Sequence, residues 1–393
     1  MEHYKYLIVG GGMTADSAAR GIRELDSAGS IGLITAETVG PYNRPPLSKA
    51  LWKGKDLDSI WRRTADVAGV KLHLGITVAH IDVKQRQVLD REGARYSYEK
   101  LLLATGGSPR RLPFGEDSII YFRKLDDYRR LRALTDEGDR FAVVGGGFIG
   151  SEIAAALVMN GKRVVMVFPE AGVGAFAFPA DLSASVTQFY RDKGIEVLAG
   201  STVQGLDTKP GSVVLHLSGH DAITVEGVIA GIGIIPNVDL ARDANLAVSD
   251  GIVVDELLRA SAPNVYAAGD VAWFFNPALN KRLRVEHEDN ANTMGRAAGR
   301  NMAGASEPYS HLPFFYSDLF ELGYEAIGEI DPRFQTVSKW KEPFREGIVY
   351  YLRDRKVRGV VLWNVWEKVE RARALISEGH TFTPAELDAA IPI

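Results

Sequence analysis

The chain has no cysteine, which excludes structural disulfides, thiolate metal sites and any redox-active dithiol. It also has no run of eighteen apolar residues, and "YKYLIVGGG" sets a strand within a few residues of Met1. A signal peptide, a transit peptide and a membrane span therefore find no place, and a cytoplasmic location is the expectation. A net charge of −4 spread over 393 residues provides no broad basic field, which argues against a nucleic-acid partner. The hydrophobic content of 46% and charged content of 24% are those of an ordinary globular protein with material for two or three domains.

One pattern occurs twice. "YKYLIVGGGMTADSAARGIRELDSAGSIGLITAE" reads as a strand, a glycine turn at Gly10 and Gly12, a helix from about Met13, and a second strand running to Glu37. "RFAVVGGGFIGSEIAA" repeats the order with a turn at Gly145 and Gly147 and a helix from Phe148 to about Asn160, followed by the strand "KRVVMVF" and then Glu170. In each unit the first glycine permits the tight turn and the second lets backbone approach a pyrophosphate. The third position, Ala15 or Gly150, lets helix and strand pack closely, and the helix N-terminus faces negative charge. Glu37 and Glu170 are placed to accept hydrogen bonds from ribose hydroxyls. A single such fingerprint is weak; two, each with strand, helix and acid in order, predict two Rossmann-like dinucleotide-binding domains in an α/β chain.

Other stretches extend this reading. "KLLLATGGSPRRLP" runs a buried-type strand into a glycine turn and prolines, which suits a chain crossing between domains. "NVYAAGDVA" puts Asp270 just after a strand, where it is either a helix N-cap or a ligand for a cofactor's polyol chain. The cluster "EHED", Glu286 to Asp289, suggests a metal, but its spacing suits no closed site. Beyond it, "YEAIGEI", "QTVSKW", "GIVYYLR" and "VRGVVLWN" read as strands and "VERARALISEG" as a helix, an α+β region. Glu152, in the first turn of the second fingerprint helix, is an anion where the helix dipole favours one.

Together "VGGGMTA", "PYNRPPLSKALW", "ATGGSPR", "VVGGGFIGSE", "FPEAG", "GIGIIPN", "YAAGD", "RVEHEDNA" and "FYSDLFELGYEAIG" resemble the FAD-dependent pyridine nucleotide oxidoreductases. The branch they resemble holds apoptosis-inducing factor and the ferredoxin reductases of oxygenase systems, and the likeness runs along almost the whole chain. The lack of a leader and of a long C-terminal insertion suggests a bacterial or archaeal member. The resemblance implies an FAD-binding domain from residues 1–112 and 235–310, an inserted NAD-binding domain over 113–234, and a C-terminal domain over 311–393. It implies that Glu152 pairs with Lys49 of "RPPLSK" beside the flavin, and that Phe148 lies between the nicotinamide pocket and the flavin. Further FAD contacts implied by it are Gly10, Gly12, Ala15, Glu37, Arg44, Lys49, Val78, Thr105, Gly106, Arg110, Asp270, Glu286, His287 and Tyr316. Tyr316 stands where apoptosis-inducing factor carries tryptophan. The NAD contacts implied are Gly145, Gly147, Phe148, Ile149, Gly150, Glu152, Glu170 and Gly233. Lys49 is then expected to stabilise negative charge on the reduced flavin, with Glu152 neutralised by it.

The segment "FPEAGVGAFAFPADL" holds an acid and neither Lys nor Arg, so it favours NADH over a cofactor bearing a 2'-phosphate. Without cysteines, disulfide reduction is excluded. The expected activity is transfer of hydride from NADH to FAD and of electrons onward to a ferredoxin, a quinone or oxygen. For a ferredoxin, "FRKLDDYRRLRAL" offers Arg123, Lys124, Arg129, Arg130 and Arg132, residues that equally make a solvated helix face. The alternative is an NADH-responsive binding protein, in which a long-lived charge-transfer complex of reduced flavin and NAD alters partner binding or homodimer formation.

Overall fold

The apolar run that opens the chain becomes the middle of a sheet, and its repeat becomes the middle of another. The computed structural model describes residues 1–115 and 117–393. Contacts divide the chain into two units, Met1–Arg44 with Asp58–Ser108 and Ile235–Pro313, and Pro45–Leu57 with Pro109–Ile234 and Phe314–Ile393.

In the first unit a seven-stranded sheet runs in the order Val70–Leu74, Ile31–Thr35, Glu2–Val9, Arg95–Leu103, Gln87–Asp90, Val78–Asp82, with Val265–Ala267 also paired to Arg95–Leu103. The pairs made by Glu2–Val9, by Ile31–Thr35 and by Val265–Ala267 are parallel. Ile31–Thr35 is buried at every residue, as expected of a strand covered on both faces. Helix Met13–Arg23 packs on helix Glu288–Met302 so closely that a Cβ at Gly299 would lie 2.1 Å from the carbonyl oxygen of Ala18.

In the second unit a parallel sheet repeats the same plan in the order Glu196–Ala199, Arg163–Phe168, Arg140–Val144, Gly227–Ala230, Ile119–Tyr121. The glycine turn leads into helix Phe148–Met159. A five-stranded antiparallel sheet follows, ordered Phe314–Leu319, Leu322–Gly328, Lys356–Trp363, Glu346–Arg353, Gln335–Glu342, with helix Val369–Glu378 packed against it. Phe178 meets Tyr324 and Trp363 edge-on, and the Tyr351 hydroxyl donates to the carbonyl of Ala177 at 2.8 Å. These contacts seat the C-terminal sheet on the half of this unit that holds the parallel sheet. Among the described residues no helix is long and apolar enough to cross a membrane.

Candidate functional site

Both glycine turns have the geometry of a phosphate cradle. Gly10 and Gly145 have φ of +131° and +113°, and a Cβ on them would lie 2.1 and 2.5 Å from the carbonyl oxygens of Ala104 and Gly231. No larger residue fits there. Gly12 and Gly147 are different: a Cβ on Gly12 meets nothing within 4 Å, and one on Gly147 meets only Phe176 at 3.8 Å. Each caps its helix with no side-chain hydrogen bond, so the first N–H groups face open space with the dipole behind them. At Gly150 a Cβ would lie 2.0 Å from the carbonyl oxygen of Gly145, and Ala15 is fully buried. The residues present fit two pyrophosphates.

In the first unit, Glu37 accepts from the Tyr42 hydroxyl at 2.7 Å and from Arg44 Nη2 at 2.6 Å. Burial presses the Arg44 guanidinium toward neutrality, but Glu37, Tyr42 and Asp270 outweigh it and hold its pKa above the ordinary value. Arg44, Glu37 and Asp270 are thus one electrostatic group. Asp270 lies in the short 3-10 turn Gly269–Val271, and its carbonyl accepts from Arg284 Nη1 at 3.2 Å. The same guanidinium bonds Glu286, and His287 is the N-cap of helix Glu288–Met302. Arg284, which the sequence reading passed over, therefore joins two of the residues it singled out. The neighbouring "RLRV" was the available signal. Thr105 Oγ1 donates to the carbonyl of Asn237 at 2.8 Å, Gly106 has a φ of +62°, and Val78 opens a strand at the sheet edge.

In the second unit, Lys49 Nζ stands 2.7 Å from Glu152 Oε1, with the carboxylate side chain 3% exposed and the lysine 11%. Ser48 Oγ donates to Glu152 Oε2 at 2.6 Å and Ser317 Oγ to Oε1 at 2.6 Å. The ammonium also lies 5.0 Å from the centre of the Tyr316 ring. Phe148, the first residue of its helix, packs against Phe176 and Phe315 at centroid distances of 4.8 Å each. Ile149 beside it is partly exposed. Gly233 has a φ of +91°, and its carbonyl accepts from the Arg110 backbone N–H at 2.9 Å. Glu170 is exposed just beyond strand Arg163–Phe168. Arg163, at the other end of that strand, is engaged by Asp139 at 2.7 Å.

Ser48 and Ser317 were not anticipated. Ser48 adjoins Lys49, and Ser317 adjoins Tyr316 on a strand, where alternation sends it to the opposite, buried face.

Residues 4–295 match the pyridine nucleotide-disulphide oxidoreductase family, and residues 298–343 and 338–378 match the C-terminal region of mitochondrion-associated apoptosis-inducing factor. The chain is 33% identical to apoptosis-inducing factor 1, mitochondrial, of Dictyostelium discoideum, over 97% of its own length and 80% of that protein's. It is also 33% identical to the 5,5'-dehydrodivanillate O-demethylase ferredoxin reductase subunit of a Sphingobium strain, over 96% of its length and 94% of that protein's. Among solved structures it is similar to the covalent putidaredoxin reductase–putidaredoxin complex, with a TM-score of 0.91 and 29% identity, covering 98% of this chain and 95% of that one.

Proposed function

This chain belongs to the pyridine nucleotide-disulphide oxidoreductase family, and its cofactors are accordingly FAD and a nicotinamide dinucleotide; from that premise we propose that it is an NADH-dependent reductase of a one-electron carrier protein of the ferredoxin class. The observation that carries the reading is the buried Lys49–Glu152 ion pair, held in the same unit as the glycine turn at Gly145–Gly147. When bound, FAD supplies the conversion of a two-electron donor into single electrons. The protein's own part is binding and electrostatics. Gly12 and Gly147 open the backbone to the two pyrophosphates, and Glu37 and Glu170 accept from ribose hydroxyls. Lys49 Nζ holds a positive charge where negative charge develops on reduction, and Glu152 keeps that ammonium aimed and its burial affordable. Phe148, flanked by Phe176 and Phe315, covers the nicotinamide side and excludes water.

Glu170 and the lack of Lys or Arg in the segment after its strand support NADH as donor. Ferredoxin as acceptor is supported by near full-length likeness to the Sphingobium ferredoxin reductase subunit and to putidaredoxin reductase in complex with putidaredoxin. The match of residues 298–378 to apoptosis-inducing factor favours a second reading, in which a long-lived reduced state changes partner binding.

Anaerobic stopped-flow mixing separates the two. The FAD-loaded protein is expected to bleach at least about tenfold faster with NADH than with NADPH, a difference of about 1.4 kcal/mol in barrier. Putidaredoxin added next should reoxidise it within the mixing experiment. A reduced protein that persists in the presence of putidaredoxin, quinone and air would support the second reading and overturn the first.

A further inference from the structure

Glu152 is served by three donors on its two oxygens, and two of them are serine hydroxyls that no pairing of Lys49 with Glu152 requires. Ser48 and Ser317 are 5% and 1% exposed. Each hydroxyl has one proton to give. Ser48 Oγ lies 2.6 Å from Glu152 Oε2 but 3.4 Å from the carbonyl of Pro45, so the carboxylate takes it. The 2.6 Å distances to Glu152 are those of charge-assisted O–H···O⁻ bonds, roughly twice as strong as neutral ones. Ser317 is fixed further from the other side. It stands directly opposite Tyr324 in the antiparallel pairing of Phe314–Leu319 with Leu322–Gly328. Burial holds the Tyr324 phenol's pKa well above its ordinary value, so it stays protonated. Stacking on Trp363 at a centroid distance of 5.6 Å and an angle of 10° keeps the ring in place.

We propose that Ser317, supplied by the first strand of the C-terminal sheet, and Ser48, supplied by the segment before Lys49, are positioning residues that hold the Glu152 carboxylate and thereby free the Lys49 ammonium to serve the flavin. With both serine bonds made, the carboxylate asks only one hydrogen bond of Lys49, leaving two of the three ammonium protons for other acceptors. Remove one serine, and the ammonium is drawn toward the oxygen that lost its donor while the carboxylate charge is less compensated. Both changes destabilise negative charge on the reduced flavin, so they act in the same direction. The C-terminal sheet thus contributes a donor to the Glu152 carboxylate. The inference rests on the proposed role of the Lys49–Glu152 pair.

The test uses the FAD-loaded protein and the variants Ser317→Ala, Ser317→Thr and Ser48→Ala. The flavin midpoint potential is measured by equilibration with reference dyes and a chemical reductant, without NADH. In parallel, the Glu152 carboxylate stretch is isolated by infrared difference between ¹³C-glutamate-labelled protein and labelled Glu152→Gln protein. Ser317→Ala and Ser48→Ala are expected to shift the carboxylate band and to move the potential to more negative values, with NADH-driven bleaching about tenfold slower, the size of one charge-assisted hydrogen bond. Ser317→Thr, which keeps the hydroxyl, should restore band and potential together. An unmoved carboxylate band in both alanine variants would overturn the clamp, and a shifted band with an unchanged potential would overturn its role in tuning the flavin. Should Ser317→Ala lose FAD, Ser48→Ala decides alone, since it acts on the other oxygen. Failure of NADH as donor or of ferredoxin as acceptor would appear only in the bleaching and reoxidation experiments and leave the carboxylate band and the midpoint potential intact.

Discussion

At the scale of single residues, the two glutamates of the second fingerprint have opposite environments and correspondingly different work. Glu152 is buried and saturated with donors, whereas Glu170 is exposed at a strand end. Replacing Glu170 with arginine exchanges a repelling charge for an attracting one. The ratio of kcat/KM for NADPH to that for NADH is expected to rise about tenfold or more, equivalent to about 1.4 kcal/mol, in steady-state assays with each nucleotide. An unchanged ratio would remove Glu170 from the nucleotide site. Features that depend on a local motif were readable from sequence: the glycine turns by their spacing, and the place of Glu170 just beyond its strand by its distance from them. Lys49 was linked to Glu152 only through family resemblance, because nothing local ties residues a hundred positions apart. Ser317 carried no signal beyond strand alternation, and its importance lies in a contact with a helix far away in sequence.

At the scale of elements, the start of helix Met13–Arg23 is anchored by Asp16, fully buried and bonded by Arg62 Nε at 2.7 Å, Thr64 Oγ1 at 2.7 Å and Arg20 Nε at 3.0 Å. Burial pushes the Asp16 carboxyl up, but Arg20, Thr64 and Arg62 outweigh it and hold its pKa below the ordinary carboxylate range. The stability it contributes is therefore complete above the unfolded value of about 3.9 and is lost as pH falls through the lower folded value. Asp16→Asn should cost about 3 kcal/mol near neutral pH, by leaving Arg62 without its partner. In denaturant titrations run across pH, variant and parent should converge in acid; a constant gap down to the lowest pH would contradict the assignment. The long periodic elements were legible, including both fingerprint helices and four strands of the C-terminal sheet. Three-residue strands such as Gly227–Ala230's neighbour Ile119–Tyr121 were not, since three residues are too few to show a period. Nor could local pattern show that Pro45–Leu57 clusters with the second unit. That depends on contacts such as Asn160 Nδ2 donating to the carbonyl of Trp52 at 3.1 Å.

At the scale of the whole molecule, the absence of cysteine makes a prediction of its own. Saturating alkylating reagent or strong thiol reductant should leave both the melting temperature and the rate of flavin bleaching by NADH unchanged, which differential scanning calorimetry and stopped-flow absorbance would check. A change in either would mean that the electron path involves chemistry the sequence does not supply. The way the chain is threaded has a consequence for its birth on the ribosome. Strand Arg95–Leu103 pairs on one side with Val265–Ala267, and helix Met13–Arg23 needs helix Glu288–Met302 to cover it. At bacterial-to-eukaryotic synthesis rates, Val265–Ala267 emerges roughly ten to thirty seconds after its neighbour. Throughout that interval Leu101, Leu102 and Leu103, all fully buried in the finished protein, present an open strand edge to solvent. Nascent chains stalled between the two strands should therefore be clients of chaperones that bind exposed apolar segments.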